Sequence, residues 1–314
     1  MIKFLQLIRF PNLVMIALTQ FLFYYYWILP FDECYLSLNL FICGVLATVF
    51  IAAGGNIIND IFDVQTDRIN KPHKQFIGTF ISKKIAFPLY IAFSLIGIGL
   101  GSYVSFSIDF PELSLIFIGI ALLLFLYSSH LKSVPILGNV VVSLLVASSL
   151  LILIAFKVNC EPLSRKHVHF FYGISLIAIK VYAVFAFLIN LIREMVKDIE
   201  DINGDYNANI TTLPIILGRN RVNKIVAFLA GITILFTLYC IREFLQEQTV
   251  MTIYILVTIL LPLLYFIVKV WQADTKREYR MLSSLLKLIM LFGILSTVVY
   301  YYFTELTPFY YILF

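Results

Sequence analysis

Long apolar runs alternate with short polar segments along the whole chain. Nine of these runs reach about 20 residues, the length at which an α-helix crosses a hydrocarbon core about 30 Å thick. None alternates over about ten residues as the strands of a membrane β-barrel do. The pattern therefore predicts an all-α integral membrane protein with nine transmembrane helices, at 11–29, 36–58, 84–106, 113–131, 136–156, 168–192, 223–241, 250–270 and 283–303.

Composition supports the membrane assignment. Of the 314 residues 61% are hydrophobic and only 13% are charged, against roughly 25% charged in soluble domains. No linker or low-complexity segment interrupts the chain, so we expect one transmembrane domain over 1–314. No small-residue cleavage site follows the first run, which we expect to be a retained helix. The four cysteines form no CxxC pair and predict neither a metal site nor a disulfide framework.

Basic residues lie mostly on one side of the predicted helices. Alternate sides hold 18 and 4 lysines and arginines, with Lys180 inside a span. Because short cytoplasmic loops carry the excess of Lys and Arg, we expect a cytoplasmic N-terminus and an outside C-terminus in a prokaryotic cell membrane. We attribute the net charge of +5 to a rim facing anionic lipid. We therefore expect membrane lipid as a partner, no nucleic acid, and no evident protein partner.

Acidic residues collect in two predicted cytoplasmic loops, 59–83 and 193–222. The stretches that begin "DIFDVQTD" at Asp60 and "DIEDINGD" at Asp198 share the spacing D-x2-D-x3-D. On a helix Asn59, Asp63 and Asp67 of the first row lie within about 80° of arc, with Asp60 on the same stripe. The second row (Glu194, Asp198, Asp201 and Asp205) lies within about 60°. Each row can present its carboxylates to one point.

Rows of like charge destabilise a helix unless a cation offsets them. Mg2+ prefers oxygen ligands, takes one or two carboxylates and completes its shell with water and substrate phosphate. Two rows could therefore hold Mg2+ against a pyrophosphate. The nearby cations that could neutralise the remaining phosphate oxygens are Arg68, Lys71, Lys74, Arg193 and Lys197.

At these residues the sequence resembles the UbiA superfamily of intramembrane prenyltransferases, whose motifs read NDxxDxxxD and DxxxD. Here they are Asn59 to Asp67, followed by "RINKP", and Asp201 to Asp205, followed by "YNANITTLPIILG". The resemblance includes "LIRFPNLVMIALTQ" and "LYSSHLKSVPILGN". It implies nine helices around a central cavity, with two aspartate-rich loops that bind Mg2+ and an isoprenyl pyrophosphate.

The resemblance and the rows together predict the site residues. We expect Mg2+ to be held by Asp60, Asp63, Asp67, Asp198, Asp201 and Asp205, of which Asp63, Asp67, Asp201 and Asp205 are catalytic. Substrate contacts are expected from Asn59, Arg68, Lys71, Tyr127, Lys132, Arg193 and Lys197. The chain departs from the family pattern at Asn209, where the family usually has Gly, and in the spacing between Tyr127 and Lys132.

The expected reaction is prenyl transfer to a lipophilic acceptor within the membrane. "REMVKDIEDINGD" resembles members that prenylate geranylgeranylglyceryl phosphate, whose phosphate would need an additional basic patch, with Lys71, Lys74, Lys83 and Lys84 as candidates. The alternative acceptors are 4-hydroxybenzoate and 1,4-dihydroxy-2-naphthoate. A transporter is the main alternative outside the enzymes, although it would place carboxylates near the midplane. A CDP-alcohol phosphotransferase would require a DGxxAR motif that "DVQTDRIN" lacks.

Overall fold

The computed structural model describes residues 2–29, 36–70, 75–156, 166–208 and 210–303, with backbone alone for 166–174. These residues form helices and turns and no strand. The α-helices are α1 (Ile2–Leu7), α2 (Phe10–Phe23), α3 (Leu38–Phe62), α4 (Val64–Asn70), α5 (Lys83–Ser107), α6 (Leu113–Ser129), α7 (Leu137–Ala155), α8 (Lys166–Asn207), α9 (Leu213–Leu217), α10 (Arg219–Phe244), α11 (Thr249–Ile255), α12 (Leu261–Gln272) and α13 (Lys276–Phe303). The all-α fold is confirmed.

Within the described ranges, seven helical segments are long and apolar enough to cross a membrane. They are α3, α5, α7, the Ser175–Asn207 part of α8, α10, the continuous Thr249–Gln272 segment, and α13. Helix α6 is apolar but has only 17 residues. The first predicted span is α2 followed by a π-helical segment at Tyr24–Ile28. The count of nine membrane crossings therefore stays a prediction.

Large apolar side chains cover the outside of the bundle. Leu95 on α5 is 62% exposed and Phe228 on α10 is 69% exposed. Removing side chains of this size from water is energetically favourable. They can face outward on several helices because lipid, and not water, surrounds them. The exposed apolar surface therefore agrees with the hydropathy of the sequence.

Helix α8 packs against both halves of the bundle. It contacts α7 on one side and α10 and α13 on the other, while α3 packs against α5 and α6. One apolar core fills the space between α8 and α10 to α13, and it includes Ile192, Val196 and Ile199 of α8. Two further cores lie around α3. Helix α8 is therefore fixed along much of its length.

The two acidic segments are mostly helical. Helix α8 continues to Asn207, so residues 193–207 of the segment that we expected to be a loop belong to the same helix as the preceding span. Its 42 residues correspond to about 63 Å at 1.5 Å per residue. Helix α3 ends at Phe62 and α4 begins at Val64, with Asp63 between them. The backbone amides of Asp63 and Asp67 still donate to the carbonyls four residues earlier, so the first row stays close to helical.

Candidate active site

A cavity of about 590 Å³ opens between α2, α3, α6, α7 and α8. The first acidic row reaches its wall through Asn59, Asp60, Asp63 and Asp67, and the second row through Glu194, Asp198, Asp201 and Asp205. The structure thus brings both rows to one hollow, as their helical spacing indicated.

Deeper in the bundle the cavity wall becomes apolar. Below the carboxylates it is lined mainly by aliphatic and aromatic side chains of α2, α3, α6 and α7, among them Ile16, Ile51, Phe117, Leu124 and Ile152. A few hydroxyl groups, such as that of Thr48, interrupt this surface. A ligand with a charged head and a long hydrocarbon tail fits such a division.

Asp63 is the most connected carboxylate of the first row. Its Oδ2 atom accepts a hydrogen bond from Asn59 Nδ2 at 2.7 Å. The same oxygen forms an ion pair with Lys132 Nζ at 2.5 Å. Its backbone carbonyl accepts a hydrogen bond from Thr66 Oγ1 at 2.9 Å. Asp63 is 8% exposed. These contacts hold its carboxylate in one orientation at the polar end of the cavity.

Lys132 lies in a short turn of 3-10 helix, Leu131–Ser133, that packs closely on the start of α7. A Cβ added to Gly138 would lie 2.9 Å from the carbonyl oxygen of Leu131 and 3.1 Å from Cα of Lys132, so a glycine allows this approach. Burial lowers the pKa of Lys132, but the Asp63 carboxylate and Tyr127 outweigh that effect and raise the pKa above its ordinary value. The lysine therefore stays charged beside Asp63.

The second row is held by α7. Asn139 Nδ2 donates to Asp198 Oδ2 at 2.8 Å, and the backbone carbonyl of Asn139 accepts a hydrogen bond from Ser143 Oγ at 2.6 Å. Asp205, one turn beyond Asp201 on α8, is 6% exposed. Buried carboxylates require hydrogen-bond donors or cations, and the second row receives a donor from a neighbouring helix.

Asn70 joins the two acidic segments. Its Nδ2 donates to the backbone carbonyl of Asp201 at 2.8 Å, and its Oδ1 accepts from the backbone amide of Gly204 at 3.0 Å. Its own carbonyl accepts from Lys276 Nζ, at the start of α13, at 2.9 Å. One buried residue at the end of α4 thus fixes the distance between α4 and the part of α8 that carries Asp201.

Three further cations line the polar end of the cavity. Arg9 Nη2 contacts Asp60 Oδ1 at 3.0 Å. Arg193 Nη1 and Lys197 Nζ both contact Oε1 of Glu194, at 3.1 Å and 2.6 Å. Burial lowers the pKa of Arg9, but the carboxylates around it raise the pKa above its ordinary value. Arg9 therefore stays charged at the cavity wall.

The donor set suits Mg2+ bound together with a phosphate. Among the described residues no three carboxylate, histidine or cysteine side chains stand close enough together to hold a metal ion by themselves. Mg2+ typically takes only one or two carboxylates and keeps water or substrate phosphate in the remaining positions. Aspartates on two facing rows, converging on one cavity, fit that requirement.

Most of the predicted site residues line the cavity. Besides the carboxylates these are Asn59, Tyr127, Lys132, Arg193 and Lys197. Arg68 is exposed and lies outside the cavity wall, as do the exposed Lys83 and Lys84. Lys71, Lys74 and Asn209 lie outside the described residues. The functional roles of all these residues stay predictions.

Sequence reasoning missed the contacts of Arg9, Asn70 and Asn139. Each lies within a stretch that resembles the family, "LIRFPNLVMIALTQ", "RINKP" and "LYSSHLKSVPILGN". The resemblance marked these stretches, but no residue spacing indicated that Arg9 would pair with Asp60 or that Asn139 would reach Asp198.

Comparison with known proteins agrees with this geometry. The profile of the UbiA prenyltransferase family matches residues 13–291. The chain belongs to the UbiA prenyltransferase family. This UbiA-family chain is therefore a prenyltransferase and an integral membrane protein, which excludes the transporter alternative.

Relatives of this UbiA-family chain include enzymes named digeranylgeranylglyceryl phosphate synthase. Digeranylgeranylglyceryl phosphate synthase from Saccharolobus solfataricus is 30% identical over 94% of this chain and 95% of its own length. The enzyme of the same name from Pyrococcus abyssi is 32% identical over 58% of each chain, less than two thirds of that relative's length.

Solved structures with the same fold include digeranylgeranylglyceryl phosphate synthase in membranes, with a TM-score of 0.63 and 23% identity over 95% of this chain and 96% of that one. A UbiA homologue from Archaeoglobus fulgidus bound to GPP and Mg2+ has a TM-score of 0.59 and 16% identity over 94% and 99% of the two chains. These structures share the helical architecture of the UbiA-family chain.

Proposed function

We propose that the protein transfers a geranylgeranyl group from its pyrophosphate to geranylgeranylglyceryl phosphate within the membrane, in an Mg2+-dependent reaction. The observation that carries the proposal is the single cavity, about 590 Å³ in volume, with two aspartate rows and Lys132 at its polar end and apolar walls below. A pyrophosphate with a prenyl tail matches both parts of it.

Mg2+ would be held by Asp63 and Asp67 from the first row and by Asp201 and Asp205 from the second, with Asp60 and Asp198 in support. When bound, Mg2+ would stabilise the negative charge that develops on the departing pyrophosphate. The related structure bound to GPP and Mg2+ supports the requirement for Mg2+. Lys132, which contacts Asp63 at 2.5 Å, would donate to a pyrophosphate oxygen and neutralise part of its charge.

The apolar wall protects the reacting carbon. The bond between the first prenyl carbon and the pyrophosphate oxygen breaks, and its electron pair leaves with the pyrophosphate. The acceptor hydroxyl oxygen then bonds to that carbon, and its proton passes to the leaving pyrophosphate. Because a cationic prenyl group would also react with water, the aliphatic wall favours transfer over hydrolysis. The same wall binds the tail with about 0.8 kcal/mol per buried CH2.

The names of the relatives support the choice of acceptor. We place the acidic rows on the cytoplasmic side of a prokaryotic cell membrane, with the N-terminus cytoplasmic and the C-terminus outside, because lysine and arginine concentrate on that side.

A competition assay tests the proposal. Purified protein in lipid nanodiscs is incubated with Mg2+, labelled geranylgeranyl pyrophosphate, and equal concentrations of geranylgeranylglyceryl phosphate, 4-hydroxybenzoate and 1,4-dihydroxy-2-naphthoate. We expect label almost entirely in the doubly prenylated glycerol phosphate, and no product from an Asp201→Asn variant. Label in an aromatic product instead would refute the choice of acceptor.

A further inference from the structure

Charged side chains at the polar end of the cavity make two sets of direct contacts. In the first, Lys132 contacts Asp63, while Asp60, Asp198 and Asp205 also contribute to the negative charge around the lysine. The second group, called here the Arg9 cluster, consists of Arg9, Arg193 and Lys197 with the carboxylates of Asp60 and Glu194. Aspartates dominate the first group, and cations outnumber carboxylates in the second.

The Arg9 cluster has an excess of positive charge. Arg193 and Lys197 share a single oxygen of Glu194, while Arg9 uses Asp60. Lys287 of α13 adds to the positive charge around Arg193 and donates to Oδ1 of Asn12, itself a cavity residue, at 2.8 Å. Four cations thus surround two carboxylates.

Arg193 also retains an unused donor. Its Nε is buried and has no hydrogen-bond partner among the described residues. A buried donor without a partner costs about 1–3 kcal/mol. Because Arg193 lines the cavity, an anion bound beside Glu194 would relieve the excess charge and could accept from the guanidinium.

We infer that the Arg9 cluster binds the phosphate of the acceptor lipid, an inference that rests on the function proposed above. A phosphate monoester carries about −1.5 to −2 charges at pH 7, which matches the excess positive charge of the cluster together with Lys287. Arginine presents parallel N–H donors that suit phosphate oxygens. Their sequence position beside the second row had suggested that Arg193 and Lys197 bind the pyrophosphate. The inference assigns both residues to the acceptor instead.

This division explains how one cavity distinguishes two anionic lipids. A pyrophosphate needs metal ions to approach the aspartate rows, whereas a phosphate monoester can bind the cation-rich cluster directly. Each head group is thus directed to its own side, and the two hydrocarbon tails share the apolar wall below.

Substitutions in the cluster test the inference. In Arg193→Gln and Lys197→Gln we expect the KM for geranylgeranylglyceryl phosphate to rise about tenfold to 100-fold, as for lost hydrogen bonds to a charged group. The KM for geranylgeranyl pyrophosphate should stay within about twofold of wild type, since a site that is not in contact contributes little. With the same glycerol ether lacking its phosphate, variants and wild type should turn over equally.

The matched control is Arg280→Gln, which removes an arginine paired with Glu200 outside the cavity wall. It should leave both KM values unchanged. Equilibrium binding of labelled acceptor, without Mg2+ and without prenyl donor, provides a second measurement that does not depend on turnover. Binding should persist in wild type and in the control and should weaken tenfold or more in the cluster variants. Size-exclusion profiles establish that each variant is folded.

A rise in the KM for the prenyl pyrophosphate with an unchanged KM for the acceptor would overturn the inference and return these residues to the pyrophosphate site. So would unchanged acceptor binding in both cluster variants. If wild type prenylated only an aromatic acceptor, the proposed function itself would fail. The competition assay separates that result from the other two.

Discussion

Gly204 lies where Asn70 reaches across to α8. A Cβ added at this position would stand 2.2 Å from Nδ2, 2.5 Å from Cγ and 2.7 Å from Oδ1 of Asn70. A Cβ atom does not approach non-bonded atoms that closely, so Gly204→Ala must displace the Asn70 side chain. Both of its hydrogen bonds to α8, to the Asp201 carbonyl and from the Gly204 amide, would be lost.

The structure sets the size of the effect. Two lost hydrogen bonds cost about 1–3 kcal/mol, and a methyl group forced into a packed site adds about 1–3 kcal/mol. Alanine returns up to about 1 kcal/mol through its better helix propensity. The net destabilisation should be about 1–6 kcal/mol. If the carboxylates of Asp201 and Asp205 move by about 1 Å, transfer should fall by about 100-fold.

Two measurements follow this change. The melting midpoint of the purified variant should fall, and the Mg2+ concentration needed for half-maximal transfer should rise. Gly99→Ala in α5 is the matched control, because its added Cβ meets nothing within 4 Å. It should keep the wild-type Mg2+ dependence, and its melting midpoint should be equal to or slightly above that of wild type. Asn70→Ala removes the clash and the hydrogen bonds together, so the Asn70→Ala, Gly204→Ala double variant should be no worse than either single variant.

Wild-type melting and wild-type Mg2+ dependence in Gly204→Ala would refute the reasoning. Full additivity in the double variant would also refute it, since contacting residues should couple by about 0.5–3 kcal/mol.

Alanine at Asp63 or Asp201 should lower labelled-product formation by at least about 100-fold at saturating prenyl pyrophosphate, as expected for loss of stabilisation of a developing charge; activity near wild type would remove these residues from the catalytic set. EDTA should stop transfer and added Mg2+ should restore it, whereas transfer that persists in EDTA would argue against metal dependence. Asn139→Ala leaves Asp198 without its amide donor and should cost about 1–3 kcal/mol, read as a lower melting midpoint, and an unchanged midpoint would mean that the contact is not formed.

The length of the apolar runs predicted the seven long apolar helices in the described part of the chain but placed the end of one of them, α8, too early. The apolar run of α8 stops at Ile192 because Arg193 begins a charged segment. The helix nevertheless continues, since Met195, Val196 and Ile199 keep the helical spacing and are buried in the adjacent core. Hydropathy averaged over a window detects the lipid-facing part of a helix and misses an amphipathic continuation.

Charge partners were harder to predict than the carboxylate rows. The rows follow from spacing along one helix, which sequence contains directly. Arg68 directly follows Asp67, but neighbours in a helix point about 100° apart, and Arg68 is exposed. The cations beside the first row are instead Arg9, 51 residues away from Asp60, and Lys132, 69 residues away from Asp63. Such pairs depend on how helices pack, which local spacing does not contain.

Helix α8 runs without a break from the bilayer to the candidate active site. It therefore determines the depth in the membrane at which the second row of carboxylates lies. Its 42 residues extend to about 63 Å, roughly twice the thickness of the hydrocarbon layer. The intramembrane part and the carboxylates of the second row therefore move as one rod. Thickening or thinning the host bilayer would shift the rod relative to the lipid head groups, and with it the height at which a pyrophosphate meets water. We therefore expect the rate of transfer to depend on the acyl chain length of the host lipid.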